Sequence, residues 1–255
     1  MQGSVRMTVA DGVAEIVLDR AAKHNAVTPA MARELAGHAR SLEEDDAVRA
    51  VLLRGEGERA FCSGSDLNAL AAYPSAWHFR NRVEYATVVR DIRKPVVAAL
   101  QGWTLGGGAE MALGADIRIA AETTRIGFPE VQRGWVGGGG ASQLLPRLIG
   151  HAAATRLLML GEQVEAAEAL RLGMVHRVVA PAALLEAARA AARQLAGYSP
   201  VAVQSVKAAL RAAMEAPLSA GLRYENEMNV LCFSAGDHLE GIRAFNEKRS
   251  ADFAR

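Results

Sequence analysis

The chain has 255 residues, of which 51% are hydrophobic, and its formal net charge at pH 7 is only +1. That length is enough for one large core, and a near-zero charge without a basic stripe argues against nucleic acid as the main partner. Cys62 and Cys232 form no CxxC pair, so neither a disulfide framework nor a zinc site is predicted. The N-terminus lacks the apolar core of a secretory signal and no apolar run could span a membrane, so we expect a cytoplasmic protein.

The first part of the chain alternates segments typical of strands and helices. Residues 5–10 and 13–19 are apolar-rich and are separated by Asp11-Gly12, a hairpin signal. Thr28 as N-cap and Pro29 as first helical residue predict a helix that runs to about residue 43. Further strands are predicted at 48–53, 96–101 and 117–120, a long helix at 74–91 and a short helix after the glycines at 106–108. This order favours an α/β fold with helical crossovers.

The character of the chain changes after residue 140. Ala, Leu, Glu and Arg at helical spacing predict helices at 154–160, 164–172, 181–195, 201–214 and 218–233, with one short strand at 174–179. We therefore predict a core over residues 1–195 and a helical C-terminal segment over residues 196–255.

Two segments place glycine beside the start of a helix. Residues 60–67 read AFCSGSDL, which fits either an ordinary strand-to-helix turn or a turn that points the backbone N–H of Ser65 into a cleft. Residues 101–110 read QGWTLGGGAE, where free N–H groups at a helix start favour a developing negative charge. Close helix–strand packing is the alternative reading, and the segment matches no complete phosphate-binding loop.

Glu130 follows a proline in the otherwise apolar run IGFPE. A carboxylate near apolar groups has a raised pKa, which suits a general acid, whereas an isolated glutamate in a loop is more often a surface residue. Residues 134–140, GWVGGGG, also precede a helix and contain no catalytic side chain. HExxH and GxSxG motifs are absent from the sequence, and the six histidines are scattered.

In combination these segments resemble the enoyl-CoA hydratase/isomerase (crotonase) family. The resemblance rests on AFCSGSDL, KPVVAALQGWTLGGGAEMALGADIRIA and IGFPEVQRGWVGGGGASQLLPRLIG, and it extends from RAAKHNA near the start to EGIRAFNEKR near the end. It implies an α/β fold, a crotonase-like superhelix of ββα turns that binds acyl-CoA, followed by a helical C-terminal trimerisation region. It also implies a homotrimer or a hexamer built as a dimer of trimers.

The resemblance assigns four catalytic positions. Ser65 and Gly107 match the residues whose backbone N–H groups form the family's oxyanion hole, although alanine is commoner than serine at the first position. Glu110 and Glu130 match the two acid/base glutamates of hydratases. Gly137 stands where proline is common, which would loosen the loop after Glu130.

The same resemblance implies where CoA binds. Lys23 aligns near a basic position that approaches the nucleotide, and the loop with Ala60, Ser63, Asp66 and Leu67 is similar to the one that receives the adenine through backbone groups. Phe245 and Lys248 align with residues that, in relatives, reach CoA from a neighbouring subunit. No metal and no cofactor beyond the CoA moiety of the substrate is expected.

The expected reaction is reversible addition of water across the 2,3 double bond of a 2-enoyl-CoA, as in fatty-acid or related acyl-CoA degradation. The alternatives are a Δ3,Δ2-enoyl-CoA isomerase, another crotonase-fold lyase or hydrolase, and, from a different class, a non-catalytic RNA-binding relative. The sequence does not say which glutamate is the acid. The aromatic residues that could line an acyl pocket, or belong to the core instead, are Tyr73, Trp77, Phe79, Trp103 and Trp135.

Overall fold

The computed structural model describes residues 3–253. The strands are β1 (Ser4–Ala10), β2 (Val13–Asp19), β3 (Ala50–Gly55), β4 (Ala60–Cys62), β5 (Val96–Leu100), β6 (Trp103–Leu105), β7 (Ile117–Ala121), β8 (Arg125–Gly127), β9 (Gln163–Glu165) and β10 (Arg177–Val179). The α-helices are α1 (Pro29–Glu44), α2 (Leu67–Ala71), α3 (Ala76–Arg80), α4 (Tyr85–Asp91), α5 (Gly107–Gly114), α6 (Ala141–Ile149), α7 (His151–Leu160), α8 (Ala166–Arg171), α9 (Leu184–Ala196), α10 (Pro200–Ala213), α11 (Leu218–Ala235) and α12 (Asp237–Glu247). Short 3-10 helices cover Ala21–Lys23, Pro129–Arg133 and Pro181–Ala183.

The strands form a six-stranded sheet in the order β1-β2-β3-β5-β7-β10 and a four-stranded sheet in the order β4-β6-β8-β9. β1 and β2 are an antiparallel hairpin, while β2, β3, β5, β7 and β10 run parallel to one another. The predicted α/β class with a helical C-terminal region is therefore confirmed. The parallel order requires helices on the faces of the sheet, because parallel strands need long crossover connections.

Local sequence signals explain where the first elements begin. At the β1–β2 turn, Asp11 has φ 51° and Gly12 has φ 74°, the left-handed backbone that an Asp-Gly hairpin turn requires. At the start of α1, the Thr28 side chain accepts a hydrogen bond from the Met31 N–H at 3.2 Å, and Pro29 occupies the first turn. Both predictions rest on chemistry within four residues, and both are confirmed.

The alternation of side chains in the larger sheet creates two apolar layers. Val51 and Leu53 of β3 point into the main core, which also contains α1, α4 and α5. Leu52 points to the opposite face, where α9 covers the sheet with Leu184 and Ala188. Successive residues of a strand face opposite sides, so a strand that is apolar throughout needs cover on both faces.

The predicted long helix at residues 74–91 is wrong. The chain forms two shorter helices, α3 and α4, separated by residues 81–84. The Asn81 N–H still makes the helical bond to the Trp77 carbonyl, but the Arg82 N–H bonds the Phe79 carbonyl only three residues back. The Asn81 and Arg82 side chains donate to the same two carbonyls at 2.8 and 2.9 Å, which is how a helix end is satisfied. Glu84 then has extended backbone angles at the start of α4. The break turns Tyr85 inward, where it is 5% exposed.

Two further predictions need correction. The helix predicted at 164–172 begins only at Ala166, because Gln163–Glu165 form β9 and pair antiparallel with β8. The strand predicted at 174–179 is confined to Arg177–Val179. Both errors concern short strands at the edge of a sheet, β9 and β10, whose extent is set by pairing with β8 and β7, which are distant in sequence. α6 begins directly after residues 134–140, as that glycine-rich segment predicts, whereas α12 lies beyond the predicted helices.

The C-terminal helices α10, α11 and α12 carry apolar side chains that stay exposed. They include Leu210, Leu222, Phe233, Ile242 and Phe245, with 57–83% of each residue accessible. The division at residues 195 and 196 falls in the last turn of α9, and that division stays a prediction. Within residues 3–253, no helix is both long and apolar enough to cross a membrane.

Candidate active site

Two glycine turns meet at the same edge of the smaller sheet. β4 and β6 are parallel, so the segments that follow them lie side by side. Gly64 (φ 96°) and Gly106 (φ 54°) bend the chain there, and an added Cβ on Gly64 would lie 3.3 Å from the Gly107 nitrogen. These segments contain Ser65 and Gly107, the two residues expected to supply backbone donors.

Local hydrogen bonds orient both N–H groups. Ser65 pairs with Val27 in a parallel bridge, in which Val27 donates to the Gly64 carbonyl at 2.8 Å and accepts from the Asp66 N–H at 2.9 Å. The N–H of Ser65 itself therefore points away from Val27. Gly107 is the first residue of α5, whose first N–H groups have no partner within the helix. Both donors are available to an oxygen in the cleft that the two segments line.

The cleft has a volume of about 550 Å³. Ser65, Gly107, Glu110 and Glu130 all line it. The structure thus brings together all four residues expected to be catalytic, although they come from three different segments of the chain.

Glu110 lies on α5, one turn after Gly107, and is 3% exposed. Its Oε1 accepts hydrogen bonds from the backbone N–H groups of Gly139 at 2.9 Å and Ala141 at 3.0 Å. Burial raises the pKa of this carboxyl above the usual glutamate value, the charge of Glu130 raises it further, and the two N–H donors oppose the rise. The side chain is therefore held in one orientation by fixed donors.

Glu130 lies in the 3-10 helix Pro129–Arg133, so the surface-loop alternative does not describe its surroundings. Burial also raises the pKa of Glu130, and the nearby charge of Arg133 opposes the rise. A Cβ on Gly106 would lie 3.2 Å from Glu130 Oε1, which places this carboxylate beside the turn that begins α5. Two carboxyls with raised pKa values thus face one cleft, an arrangement that lets one give a proton while the other takes one.

Gly137 has a role that the sequence did not reveal. An added Cβ at Gly137 would overlap Glu110 Oε1 and lie 3.2 Å from Glu110 Cδ, and one at Gly139 would lie 2.9 Å from Glu110 Oε2. Glycine at these positions makes room for the carboxylate in its present orientation. The expected loosening of this loop stays a prediction, whereas the fit around Glu110 is a direct observation.

The predicted CoA residues divide into two groups. Lys23, Ser63, Asp66 and Leu67 line the cleft beside the oxyanion donors. The prediction that Ala60 contacts CoA needs correction. Ala60 is 1% exposed, and its carbonyl accepts from the Asn25 side chain at 2.8 Å, so it is turned into the core rather than toward a ligand.

Phe245 and Lys248 lie at the C-terminal end of α12 and do not line the cleft of their own chain. Phe245 is 83% exposed. Their contact with CoA, expected only across a subunit boundary, stays a prediction.

Sequence reasoning missed Arg20, Arg82, Glu84 and Tyr85, all of which line the cleft. Arg20 forms an ion pair with Asp66 at 2.6 Å, and the pKa of Asp66 is lowered, chiefly by this side-chain hydrogen bond. The Arg82–Glu84 pair, also at 2.6 Å, lies at the break between α3 and α4. That break has no sequence signal beyond a cluster of polar residues, so the prediction of one long helix hid Arg82, Glu84 and Tyr85.

The aromatic residues that could line an acyl pocket fall into two groups, those that line the cleft and those that do not. Phe79 and Trp135 line the cleft with ring centroids 5.4 Å apart, and the Arg82 guanidinium lies 4.0 Å from the Phe79 ring centroid. Trp77, at 66% exposed, and Trp103, at 37% exposed, face away from it. Tyr73 packs edge-on against Phe79 behind the lining. In the described part of the chain, no group of three or more His, Cys, Asp or Glu side chains is placed to hold a metal ion.

Comparison with known proteins agrees with this geometry. The family model described as enoyl-CoA hydratase/isomerase matches residues 8–255. A protein of Rhizobium meliloti (strain 1021) named "Probable enoyl-CoA hydratase" is 38% identical over 248 residues, covering 93% of each chain. The "Carnitinyl-CoA dehydratase" of Proteus mirabilis (strain HI4320) is 35% identical and covers 99% of each chain. A crystal structure titled enoyl-CoA hydratase, from Bacillus anthracis, has a TM-score of 0.90 at 33% identity and covers 99% of each chain. The fold is therefore crotonase-like, and the chain belongs to the enoyl-CoA hydratase/isomerase family.

Proposed function

We propose that this protein is a 2-enoyl-CoA hydratase that adds water reversibly to give a 3-hydroxyacyl-CoA. One observation carries the proposal: Glu110 and Glu130, both with raised pKa values, line the same cleft as the Ser65 and Gly107 donors. Hydration needs a base for water, an acid for the substrate carbon and donors for the enolate oxygen. An isomerase needs only one proton-shuttling carboxylate, so the second glutamate favours hydration.

The thioester oxygen binds between the N–H groups of Ser65 and Gly107. Negative charge grows on this oxygen as the nucleophile adds at C3, so donors fixed in place stabilise the transition state more than the ground state. Removal of one such donor typically costs about 3 kcal/mol of barrier. The partial positive charge at the start of α5 acts in the same direction.

The hydrogen bonds of the two glutamates suggest their roles. Glu110 accepts two backbone N–H bonds on Oε1, and such bonds favour an ionised carboxylate, so Glu110 takes the proton from water. Glu130 is the general acid that supplies the proton at C2, because burial raises its pKa and only its own backbone N–H and the charge of Arg133 oppose that rise. The two groups titrate as a coupled pair, so a measured pKa belongs to the pair.

The test follows the loss of crotonyl-CoA absorbance with the variants Glu110→Gln and Glu130→Gln. Each should lower kcat by at least about 100-fold, the usual size of a general acid–base contribution. Glu44→Gln, at an exposed position at the end of α1, is the matched control and should retain the wild-type rate. Near-wild-type hydration by both active-site variants would contradict the mechanism.

A side-by-side assay with a 3-enoyl-CoA and a 2-enoyl-CoA distinguishes hydration from isomerisation. Isomerisation would move the double bond without adding 18 mass units of water, and a thioester hydrolase would release free CoA, so mass spectrometry separates all three outcomes. We expect a 3-hydroxyacyl-CoA as the main product.

We propose further that the exposed apolar face of α10, α11 and α12 is buried in a homotrimer, or in a hexamer of two trimers. That face supports the proposal because monomers rarely expose so many large apolar side chains together. Phe245 and Lys248 would then reach CoA bound to a neighbouring chain. Sedimentation should give a trimer or hexamer, and Phe245→Ala should raise KM for the CoA substrate.

The proposal also covers the cofactor requirement and the cellular location of the enzyme. The enzyme needs no cofactor beyond the CoA moiety of its substrate, and it acts in the cytoplasm in fatty-acid or related acyl-CoA degradation. Activity that survives dialysis against a chelator would support the first point. Fractionation of the source cells tests the second.

A further inference from the structure

A buried tyrosine approaches both backbone donors of the oxyanion hole. Tyr85 is the first residue of α4, immediately after the break that follows α3, and is 5% exposed. Its hydroxyl lies 3.0 Å from Ser65 Oγ. An added Cβ on Gly107 would overlap the Tyr85 hydroxyl and lie 2.9 Å from Tyr85 Cζ. The phenol oxygen therefore touches the two residues whose N–H groups face the thioester oxygen.

The Ser65 and Tyr85 hydroxyls carry two protons, and the hydrogen bond between them uses one. Within residues 3–253, Tyr85 Oη and Ser65 Oγ are each hydrogen-bonded only to the other. One O–H donates in that bond, so the second O–H needs another acceptor. Both residues line the cleft, and a buried hydroxyl without an acceptor is unfavourable. An acyl-CoA carbonyl oxygen bound between the N–H groups of Ser65 and Gly107 would supply that acceptor.

The proton stays on the phenol throughout the range in which the enzyme works. Burial raises the pKa of Tyr85 well above its ordinary value, and the nearby thiol of Cys62 and the carboxyls of Glu84 and Glu110 act in the same direction. Since Tyr85 remains neutral, it can be a donor and never a base. This protonation state suits an oxygen that becomes negative during the reaction.

We propose that the Ser65–Tyr85 hydroxyl pair is a third hydrogen-bond donor of the oxyanion hole. It adds one side-chain O–H to the two backbone N–H groups and polarises the thioester carbonyl with them. The inference deepens the proposed function and rests on it for the identity of the reaction. It also gives Ser65 a function beyond its backbone, at a position where the family more often has alanine.

The pair makes a specific prediction because it acts as one donor. Tyr85→Phe removes the phenol oxygen and keeps the ring, while Ser65→Ala removes the partner hydroxyl and keeps the backbone N–H. Each variant should lower kcat for crotonyl-CoA hydration about 10- to 100-fold with little change in KM, because the donor matters most in the transition state. The double variant should lose no more than the worse single variant, since residues that act as a unit are not additive.

A spectroscopic measurement separates polarisation from folding. Cinnamoyl-CoA or hexadienoyl-CoA should absorb at longer wavelength when bound to the wild type, because donors at the carbonyl oxygen withdraw electron density through the conjugated chain. The shift should be smaller in both single variants. Tyr198→Phe is the matched control: Tyr198 bonds Gln194 on α9, outside the cleft, so its loss should change neither rate nor spectrum.

The outcomes distinguish this inference from the proposed function. A wild type that shifts the bound chromophore but hydrates no enoyl-CoA would contradict the hydratase proposal and leave the donor pair supported. A full wild-type shift in Tyr85→Phe, additive losses in the double variant, or no shift of either chromophore in the wild type would each overturn the donor pair. Equal melting temperatures of Tyr85→Phe and the wild type would show that a loss of rate is not a loss of fold.

Discussion

The contact between Gly108 and Cys62 offers a sharp test of how the site is positioned. Gly108 lies in the first turn of α5, and an added Cβ there would overlap the Cys62 carbonyl oxygen and lie 2.7 Å from the carbonyl carbon. That carbonyl belongs to β4, the strand that leads into the Ser65 turn. Unlike a clash with a flexible side chain, a clash with backbone can be relieved only if the helix or the strand moves.

The size of the displacement follows from ordinary contact distances. The overlap with the Cys62 carbonyl oxygen is the larger one, and nonbonded carbon and oxygen atoms approach to about 3.3 Å. Gly108→Ala must therefore separate α5 from β4 by about 1 Å. A misplacement of about 1 Å costs roughly 100-fold in rate. Overpacking costs ~1–3 kcal/mol of folding free energy, while Gly→Ala within a helix regains ~0.5–1 kcal/mol. The steric cost is the larger of the two, so we expect the free energy of unfolding to fall by about 1 kcal/mol together with the loss of rate.

The assay compares Gly108→Ala with Gly37→Ala in crotonyl-CoA hydration and in thermal unfolding. Gly37 lies within α1, and an added Cβ there would meet no atom within 4 Å. The control should keep full activity and gain about 0.5–1 kcal/mol in the free energy of unfolding. If Gly108→Ala behaves like Gly37→Ala in both measurements, the argument that close α5–β4 packing sets the two oxyanion donors is refuted.

Four further predictions concern charged groups. Because the pKa values of Glu110 and Glu130 are raised, both limbs of the pH profile of hydration should lie above the ordinary glutamate range. The raised Glu110 pKa should also make Glu110→Gln more thermostable than the wild type at neutral pH. Asp66→Ala removes the N-cap of α2, whose side chain accepts from the Asn68 and Ala69 N–H groups, and also breaks the ion pair with Arg20. It should lower the free energy of unfolding by at least about 1 kcal/mol. Lys207→Met leaves the Asp116 carboxylate without its partner at 2.5 Å and should cost about 3 kcal/mol, measured by urea unfolding.

Each of these predictions has an outcome that contradicts it. A folded carboxyl with a raised pKa favours stability below the ordinary glutamate pKa, and that contribution is lost as pH rises through the folded pKa. The advantage of Glu110→Gln should therefore vanish at acid pH, and a constant advantage would argue against ionisation as its cause. The effect of Asp66→Ala should shrink in acid, where the lowered pKa of this group is finally reached. An unchanged urea midpoint for Lys207→Met would show that the ion pair contributes nothing.

Some features of this protein follow from the sequence because their physics is local. The Thr28–Pro29 helix start and the Asp11-Gly12 hairpin each depend on neighbours within a few residues. The family motifs likewise identify Gly107, at the start of α5, and Ser65, just before the N-cap of α2. The sequence alone therefore determined the fold class, the family resemblance and the four residues expected at the reaction centre.

The tertiary structure decided everything that depends on partners distant in the chain. The break at 81–84, with no strong local signal, moves Tyr85 from a predicted helix interior to a position beside Ser65. The backbone of residues 139–141 holds Glu110 from a loop with no catalytic side chain of its own. Ala60 lies in a cleft-forming loop and yet faces the core. Hydrogen bonds and burial between distant segments set these orientations and the pKa values that follow from them. Such long-range hydrogen bonds and such burial exist only once the chain has folded, so the sequence pattern does not show them.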